Sequence, residues 1–361
     1  MKFVLYFLAA SIVSGVPTPG QPTHDDFLKL QNSLRKYIAT DPPGTVPVLV
    51  RMSFHDLLDF DPATNQGGPK GCLIEKPVSD FDENKGLNTD VVALQKFVTT
   101  EFPNINFTFG DVISLAGKTA VETAYPCLQI NWRFGRSSCS NSSAQQAGGA
   151  QGTVNTLAKF QPFLTRYSLT AKEMAVLTAG AHGIATAAAA VENSGFGDFD
   201  FAEVNSGKDW IVGTLNNSWQ ATHSAAGLLQ YVANASDTTL MRLPSDMVFF
   251  PLVIAKIGTG VVDPSACPVQ KFMEKFASKD RSHFDNEFAK VYSKMLEIGV
   301  VRENLQDFQE PTTTGVCSDN FLPPSGPEDP TPPTPTQTNG ASSLNTSGKL
   351  IILGMIYLLA V

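Results

Sequence analysis

VRMSFHDL, residues Val50 to Leu57, sets a guanidinium and an imidazole four residues apart. On an α-helix Arg51 and His55 then lie one above the other on one face, with Phe54, three from Arg51, beside them. A fixed cation and a base would share one pocket. The same octapeptide also reads as a surface arginine and a satisfied core histidine, so the decision rests with the rest of the chain.

That chain has 361 residues, 42% hydrophobic and 17% charged, the composition of a globular protein long enough for a large core or two packed lobes. Its net charge of -8 and the lack of any Lys/Arg cluster exclude a phosphate-binding surface, and nucleic acid is not an expected partner.

Both termini carry targeting-like patterns. Lys2, the apolar run Phe3 to Val13 and the small residues Ser14 and Gly15 predict a secretory signal over residues 1–15. At the other end Leu350 to Val361 is apolar but too short for a helix to span about 30 Å of bilayer. Small residues at Asn339, Gly340 and Ala341 and a polar spacer precede it, the layout of a removable glycolipid-anchor signal over 340–361. The Pro/Thr-rich run 323–339 reads as a stalk. The expected location is therefore extracellular, tethered to the cell surface, with the membrane met only through the anchor.

Export would make the five cysteines, Cys72, Cys127, Cys139, Cys267 and Cys317, candidates for disulfides, and five Asn-x-Ser/Thr sequons, at Asn106, Asn141, Asn216, Asn234 and Asn345, fit the same compartment. No C-x-x-C spacing exists, which argues against a cysteine zinc site.

Between the termini the hydrophobic period is helical. Phe27, Leu30, Leu34 and Ile38 form a stripe behind a Thr23/Asp26 capping box, and Asp41 to Gly44 breaks that helix. Asp59 to Asn88 reads as a long loop, Asp90 to Phe102 and Asp111 to Ala124 as amphipathic helices, and Ser137 to Gly152 as an excursion between lobes. A second capping box, Thr170 to Glu173, starts a helix through Met174 and Leu177 to His182, and Ser282 to Ile298 forms a later one. No alternating run is long enough for a large sheet. The fold class is mainly α.

Four pieces in this order resemble the haem peroxidases of the plant, fungal and bacterial superfamily, over about Phe27 to Pro323, so that 16–322 reads as one peroxidase domain. VRMSFHD resembles the distal helix, GDVISLAGKTAV with WRFGR the central helix and the turn after it, LTAGAHGIA the proximal helix, and LPSDM the segment with the proximal carboxylate. The resemblance implies a two-lobed helical fold with haem b between the lobes. It implies His182 as axial ligand of the iron, with Asp246 accepting the proton of its other nitrogen. On the opposite face His55 is the implied acid/base, Arg51 the implied stabiliser of negative charge, Asn84 the partner that holds the tautomer of His55, and Phe54 a neighbour of the cofactor. The implied reaction reduces hydrogen peroxide and oxidises a small donor in one-electron steps. A non-catalytic haem-binding cell-surface protein with the same fold is the alternative. A serine hydrolase would need a G-x-S-x-G elbow, which is absent. His24, His223 and His283 match nothing and read as solvent-facing.

Phe54 makes the chain resemble the secreted fungal branch, while SGFGDFDF is similar to the ascorbate-using branch with Phe199 or Phe201 in place of its proximal Trp and Asn193 in place of its substrate-binding Arg. Secreted members carry two calcium ions. Asp56 matches a distal ligand, but Leu73 and Gly183 stand where further ligands belong, with Asp198, Asp200 and Asp209 as other acids nearby in sequence. The family's manganese ligands correspond to Gly44, Val48 and Ala188, and the fungal surface Trp to Leu177. These replacements leave small aromatic molecules as the expected donors. The fungal branch also implies a Cys267–Cys317 disulfide; Cys127 with Cys139 is set beside it, and Cys72 is unassigned.

Overall fold

The computed structural model describes residues 20–310, apart from 76–77, 81–83, 85, 126, 140–153, 185–206, 224–228 and 235–236. They belong to a compact unit, Met1–Pro323, and a second unit, Pro324–Val361, lies outside the described residues. The expected signal segment, stalk and anchor signal therefore fall outside them too, as do Asn193, Asp198, Phe199, Asp200, Phe201 and Cys317.

Helices α1 (His24–Thr40) and α2 (Pro42–His55) are joined at Asp41. The capping box at Thr23 and Asp26 is formed, with Thr23 Oγ1 accepting from Asp26 N and the Asp26 carboxylate accepting from Thr23 N. The predicted break after α1 is also a start: Asp41 caps α2, and Pro42 and Pro43 occupy first-turn positions whose N–H groups have no helical acceptor anyway. Short 3₁₀ turns at Cys72–Ile74 and Val78–Asp80 interrupt the predicted long loop before α3 (Asn88–Glu101).

The central helix α4 (Phe109–Ala124) is buried along nearly its whole length. Gly117 makes its contact with α2 possible, because a Cβ there would lie 2.4 Å from Ser53 Cβ and 2.8 Å from the Tyr292 hydroxyl. Strand β1 (Arg133–Phe134) leads into the turn carrying Arg136. Arg136 is buried and pairs with Asp111 at 2.9 Å; the same carboxylate accepts from Gly135 N and Arg136 N. This pairing explains the WRFGR turn in structural terms: breaking a buried ion pair by removing one partner costs about 3–5 kcal/mol.

The second group of helices comprises α5 (Leu157–Arg166), α6 (Ala171–His182) and α7 (Gly207–Asn216). An antiparallel sheet of β2 (Gln220–His223), β3 (Leu229–Asn234) and β4 (Asp237–Arg242) follows, with Ala221 opposite Tyr231 and Tyr231 opposite Arg242. Then come α8 (Pro244–Met247), α9 (Pro251–Ile257), α10 (Cys267–Ala277) and α11 (Arg281–Met295), and β5 (Gln306–Asp307) pairs with β1. Gly180 of α6 faces the Phe288 ring of α11 so closely that a Cβ would meet it at 2.3 Å. The fold is mainly α, with α1, α2 and α4 packed together on one side and α6, α7, α10 and α11 on the other.

Three expectations are corrected. Cys72 is bonded to Cys139, which rules out Cys127–Cys139 and ties the loop after α2 to the segment after Arg136. Cys267 is a free thiol at the start of α10, so the expected Cys267–Cys317 bridge is not formed. His24 is not simply solvent-facing: its Nε2 accepts from Gln309 N at 3.1 Å and its ring packs 5.2 Å from that of Phe308, because the chain's return along β5 covers the start of α1. His223 and His283 are exposed, as expected.

Candidate active site

A cleft open to solvent lies between α2 and α6. Val50 and Phe54 line it from α2; Met174, Leu177, Thr178, Ala181 and His182 line it from α6. Val50 and Phe54, four apart, face the cleft together; Arg51 and His55 each follow one of them on the helix and are not among the residues that line it.

His55 Nδ1 lies 2.8 Å from Asn84 Oδ1, and Asn84 Nδ2 donates to Val78 O at 2.6 Å. That second bond fixes the amide so that its oxygen faces the ring, and only a protonated Nδ1 can use it. Nε2 is then left as the basic nitrogen. Burial, reinforced by the positive charge of Arg51 and opposed by the Asn84 bond, lowers the pKa of His55 to about 3, so the ring is neutral at ordinary pH. Burial also lowers the pKa of Arg51, and the charge of Asp90 on α3 opposes that shift; a guanidinium remains a cation regardless.

His182 ends α6, where the Thr170–Glu173 capping box holds the first turn. Its Nδ1 stands 2.9 Å from Asp246 Oδ1, and Asp246 Oδ2 accepts from Leu243 N at 2.7 Å. Asp246 is completely buried, whereas the side chain of His182 keeps 26% of its surface exposed. With Nδ1 committed to the carboxylate, ligation of a metal falls to Nε2. Short side chains at Thr178 and Ala181 and an otherwise apolar wall suit a flat macrocycle, so the residues present fit haem.

Asp56, which matches a distal calcium ligand of the secreted branch in sequence, holds backbone N–H groups here. Its two oxygens accept from Gly71 N at 2.9 Å and Leu73 N at 3.1 Å, closing the loop onto the end of α2. Burial and the neighbouring Asp59 raise its pKa to about 7. No group of three or more His, Cys, Asp or Glu side chains placed to hold a metal ion exists among the described residues.

Several neighbours escaped the sequence reading. Tyr292 of α11 lines the cleft and its hydroxyl lies 2.6 Å from Ser53 Oγ, which donates to Val50 O. Trp210 and Arg242 stand behind His182, in segments without helical-stripe or family signals. The isolated Arg in the otherwise apolar Leu240–Leu243 stretch was the available clue.

The Peroxidase family model matches residues 30–251, more than half of the chain. A mitochondrial cytochrome c peroxidase of Emericella nidulans is 29% identical, over 77% of this chain and 72% of its own. A heme-binding peroxidase of Cryptococcus neoformans var. neoformans serotype D is 27% identical, over 84% and 88%. A mitochondrial cytochrome c peroxidase of the same organism is 26% identical, over 81% and 72%. These relatives do not single out the secreted fungal branch. Their names overturn the expected extracellular, surface-tethered location: similarity along most of the chain to enzymes named mitochondrial outweighs short apolar runs at two termini. Such runs are compositional signals only.

Proposed function

This chain belongs to the peroxidase family and is a haem-dependent enzyme acting on hydrogen peroxide; from that premise we propose which residues carry the reaction and which donor completes it. What supports the assignment is the pair of oriented histidines, His55 held by Asn84 on one side and His182 held by Asp246 on the other. Haem held by His182 would supply an iron able to take up the oxidising power of peroxide.

His55 Nε2 accepts a proton from one peroxide oxygen and delivers it to the other, so that water leaves. A base that is neutral at ordinary pH can do both. Arg51 stabilises the negative charge that grows on the departing oxygen, because its guanidinium cannot give up its own proton there. Asp246 holds the Nδ1 proton of His182 and makes the imidazole a stronger electron donor. Phe54 contributes apolar wall beside His55, its ring centroid 5.9 Å from that of the imidazole.

The donors are small aromatic molecules that reach the cleft. Its apolar lining, Phe54, Phe160 and Met174 among it, favours them over hydrated ions. Reduced cytochrome c is the second candidate, favoured by the names of the relatives. Steady-state turnover with a simple phenol against reduced cytochrome c separates the two. For the site itself, His55→Leu should still bind haem but react with peroxide about 10²–10⁴-fold more slowly. Stopped-flow traces at the native rate would remove His55 from its role.

A further inference from the structure

The indole of Trp210 lies behind His182, ring centroids 6.4 Å apart. The guanidinium carbon of Arg242 stands 4.3 Å from the Trp210 ring centroid and 5.0 Å from that of Trp219. Arg242 is buried and held by donation to Thr214 Oγ1 at 2.8 Å, Met241 O at 2.8 Å and Trp210 O at 3.2 Å. Burial lowers its pKa to about 9, opposed by the charge of Asp246, so it is a cation at neutral pH. Trp219 Nε1 donates to Thr214 O at 2.9 Å, whereas the buried Trp210 Nε1 has no acceptor among the described residues.

Peroxide reduction draws two electrons, H₂O₂ + 2 H⁺ + 2 e⁻ → 2 H₂O, with the O–O bond broken and two donor molecules each giving one electron. Indole is among the side chains easiest to oxidise, so one beside His182 would be a competing electron source. Loss of one electron would turn Trp210 into a radical cation with its N–H proton still in place. Two things stabilise such a species: an acceptor that takes the proton, and a nearby anion. Trp210 has no such acceptor among the described residues. The guanidinium, attracted to the neutral ring, would be repelled by the oxidised one. Asp246, whose charge acts on Arg242, is committed to His182 and Leu243 N. Trp219 shares the same cation, so passing the charge outward brings no relief.

We propose that Arg242, stacked against Trp210 and Trp219, is a positioning residue that prevents oxidation of Trp210 and so reserves the oxidising equivalents for a donor in the cleft. The inference rests on the peroxidase reading above and on the placement of His182 beside the cofactor.

The test treats the full-length haem-loaded protein with one equivalent of peroxide and no donor. Freeze-quench electron paramagnetic resonance reports an indole radical, and peptide mass reports oxygen added to Trp210. The native protein should show neither above background. Arg242→Met should show both, raised at least tenfold, and Arg242→Lys should return them towards the native level by restoring a cation. An indole radical at Trp210 in the native protein overturns the proposal, as does an Arg242→Met variant as silent as the native one. Should Arg242→Met fail to fold, Trp210→Phe decides: the oxidised state should decay without donor at the native rate, within twofold. A severalfold slower decay would mean that Trp210 was supplying electrons, which also overturns it. A protein whose haem spectrum does not respond to peroxide at all takes down the peroxidase reading and this inference with it.

Discussion

Asn84 holds His55 in one tautomer: its side-chain oxygen lies 2.8 Å from His55 Nδ1 while its nitrogen donates to Val78 O. The loop after α2 thus determines which nitrogen of a helix residue is basic. Replacing Asn84 by Leu removes the acceptor and lets the proton move to Nε2, where it disables the base. Reaction with peroxide should slow, but by less than the about 10²–10⁴-fold expected on removal of His55 itself, because part of the population keeps the productive tautomer. Stopped-flow rates for the two variants side by side test that ordering.

A second prediction concerns pH. His55 has its folded pKa lowered to about 3 from 6.5, chiefly by burial and next by the charge of Arg51. The base should therefore stay unprotonated, and its contribution to the rate flat, from neutral pH down towards 3. Arg51→Leu removes one of the two lowering causes, so the acid limb should move up in pH, besides the rate lost with the charge. For stability the sign is fixed by the same shift: between pH 6.5 and 3 the unfolded chain binds a proton that the folded protein does not. His55 therefore destabilises the fold as pH falls through that window. A pH–rate profile of Arg51→Leu whose acid limb stays in place would contradict the coupling.

The distal helix, the proximal helix with its capping box and the short LPSDM turn could be read in the sequence because each function there depends on residues close together in the chain. Arg51 with His55 and Thr170 with Glu173 are problems of helical period and capping. The pairing of Asn84 with His55 needed the family's pattern, since an isolated asparagine in a loop carries no periodic signal. What the sequence concealed depends on contacts across the fold. Cys72 with Cys139 closes 67 residues of separation. Arg242, the last residue of β4, meets Trp210 of α7 only across the fold, 32 positions away in the chain. Strands β2 to β4 are four to six residues long, too short for alternation to stand out.

The Cys72–Cys139 bridge gives a third prediction. Closing a loop of that length restricts the unfolded chain by about 4 kcal/mol in the chain-entropy model. The double variant Cys72→Ser/Cys139→Ser should lose stability of that order in urea titrations, and a reductant should lower the native protein to nearly the same midpoint. Indifference of the native protein to reduction would show that the bridge is not formed in solution.

Gly117→Val gives a fourth. Its new side chain would run into Ser53 and the Tyr292 hydroxyl, and overpacking of this kind costs about 1–3 kcal/mol. Relief has to come from movement of α2, the helix that carries Arg51 and His55. Loss of stability and slower reaction with peroxide should therefore appear together. A destabilised variant with the native peroxide rate would show that α2 can yield without disturbing His55.

The last prediction concerns the donor, where the chain's departures from its family matter more than its matches. Gly44 sits in the first turn of α2, its N–H donating to Asp41 Oδ1, and Val48 follows one turn later. Neither side chain can ligate a cation, and Ala188, the third corresponding position, lies outside the described residues. Leu177, at the position of the fungal surface Trp, is buried and forms part of the cleft wall, so it offers a surface donor neither an oxidisable ring nor an accessible contact. A guarded Trp210 would close one protein-borne route as well. Electrons should then come from molecules that reach the cleft directly, and apolar or aromatic ones suit its lining best. Steady-state assays should show saturable oxidation of simple phenols and no saturable dependence on Mn²⁺. Turnover of Mn²⁺ at low concentration would require an acidic site outside the described residues, and efficient turnover of reduced cytochrome c alone would move the electron route away from the cleft.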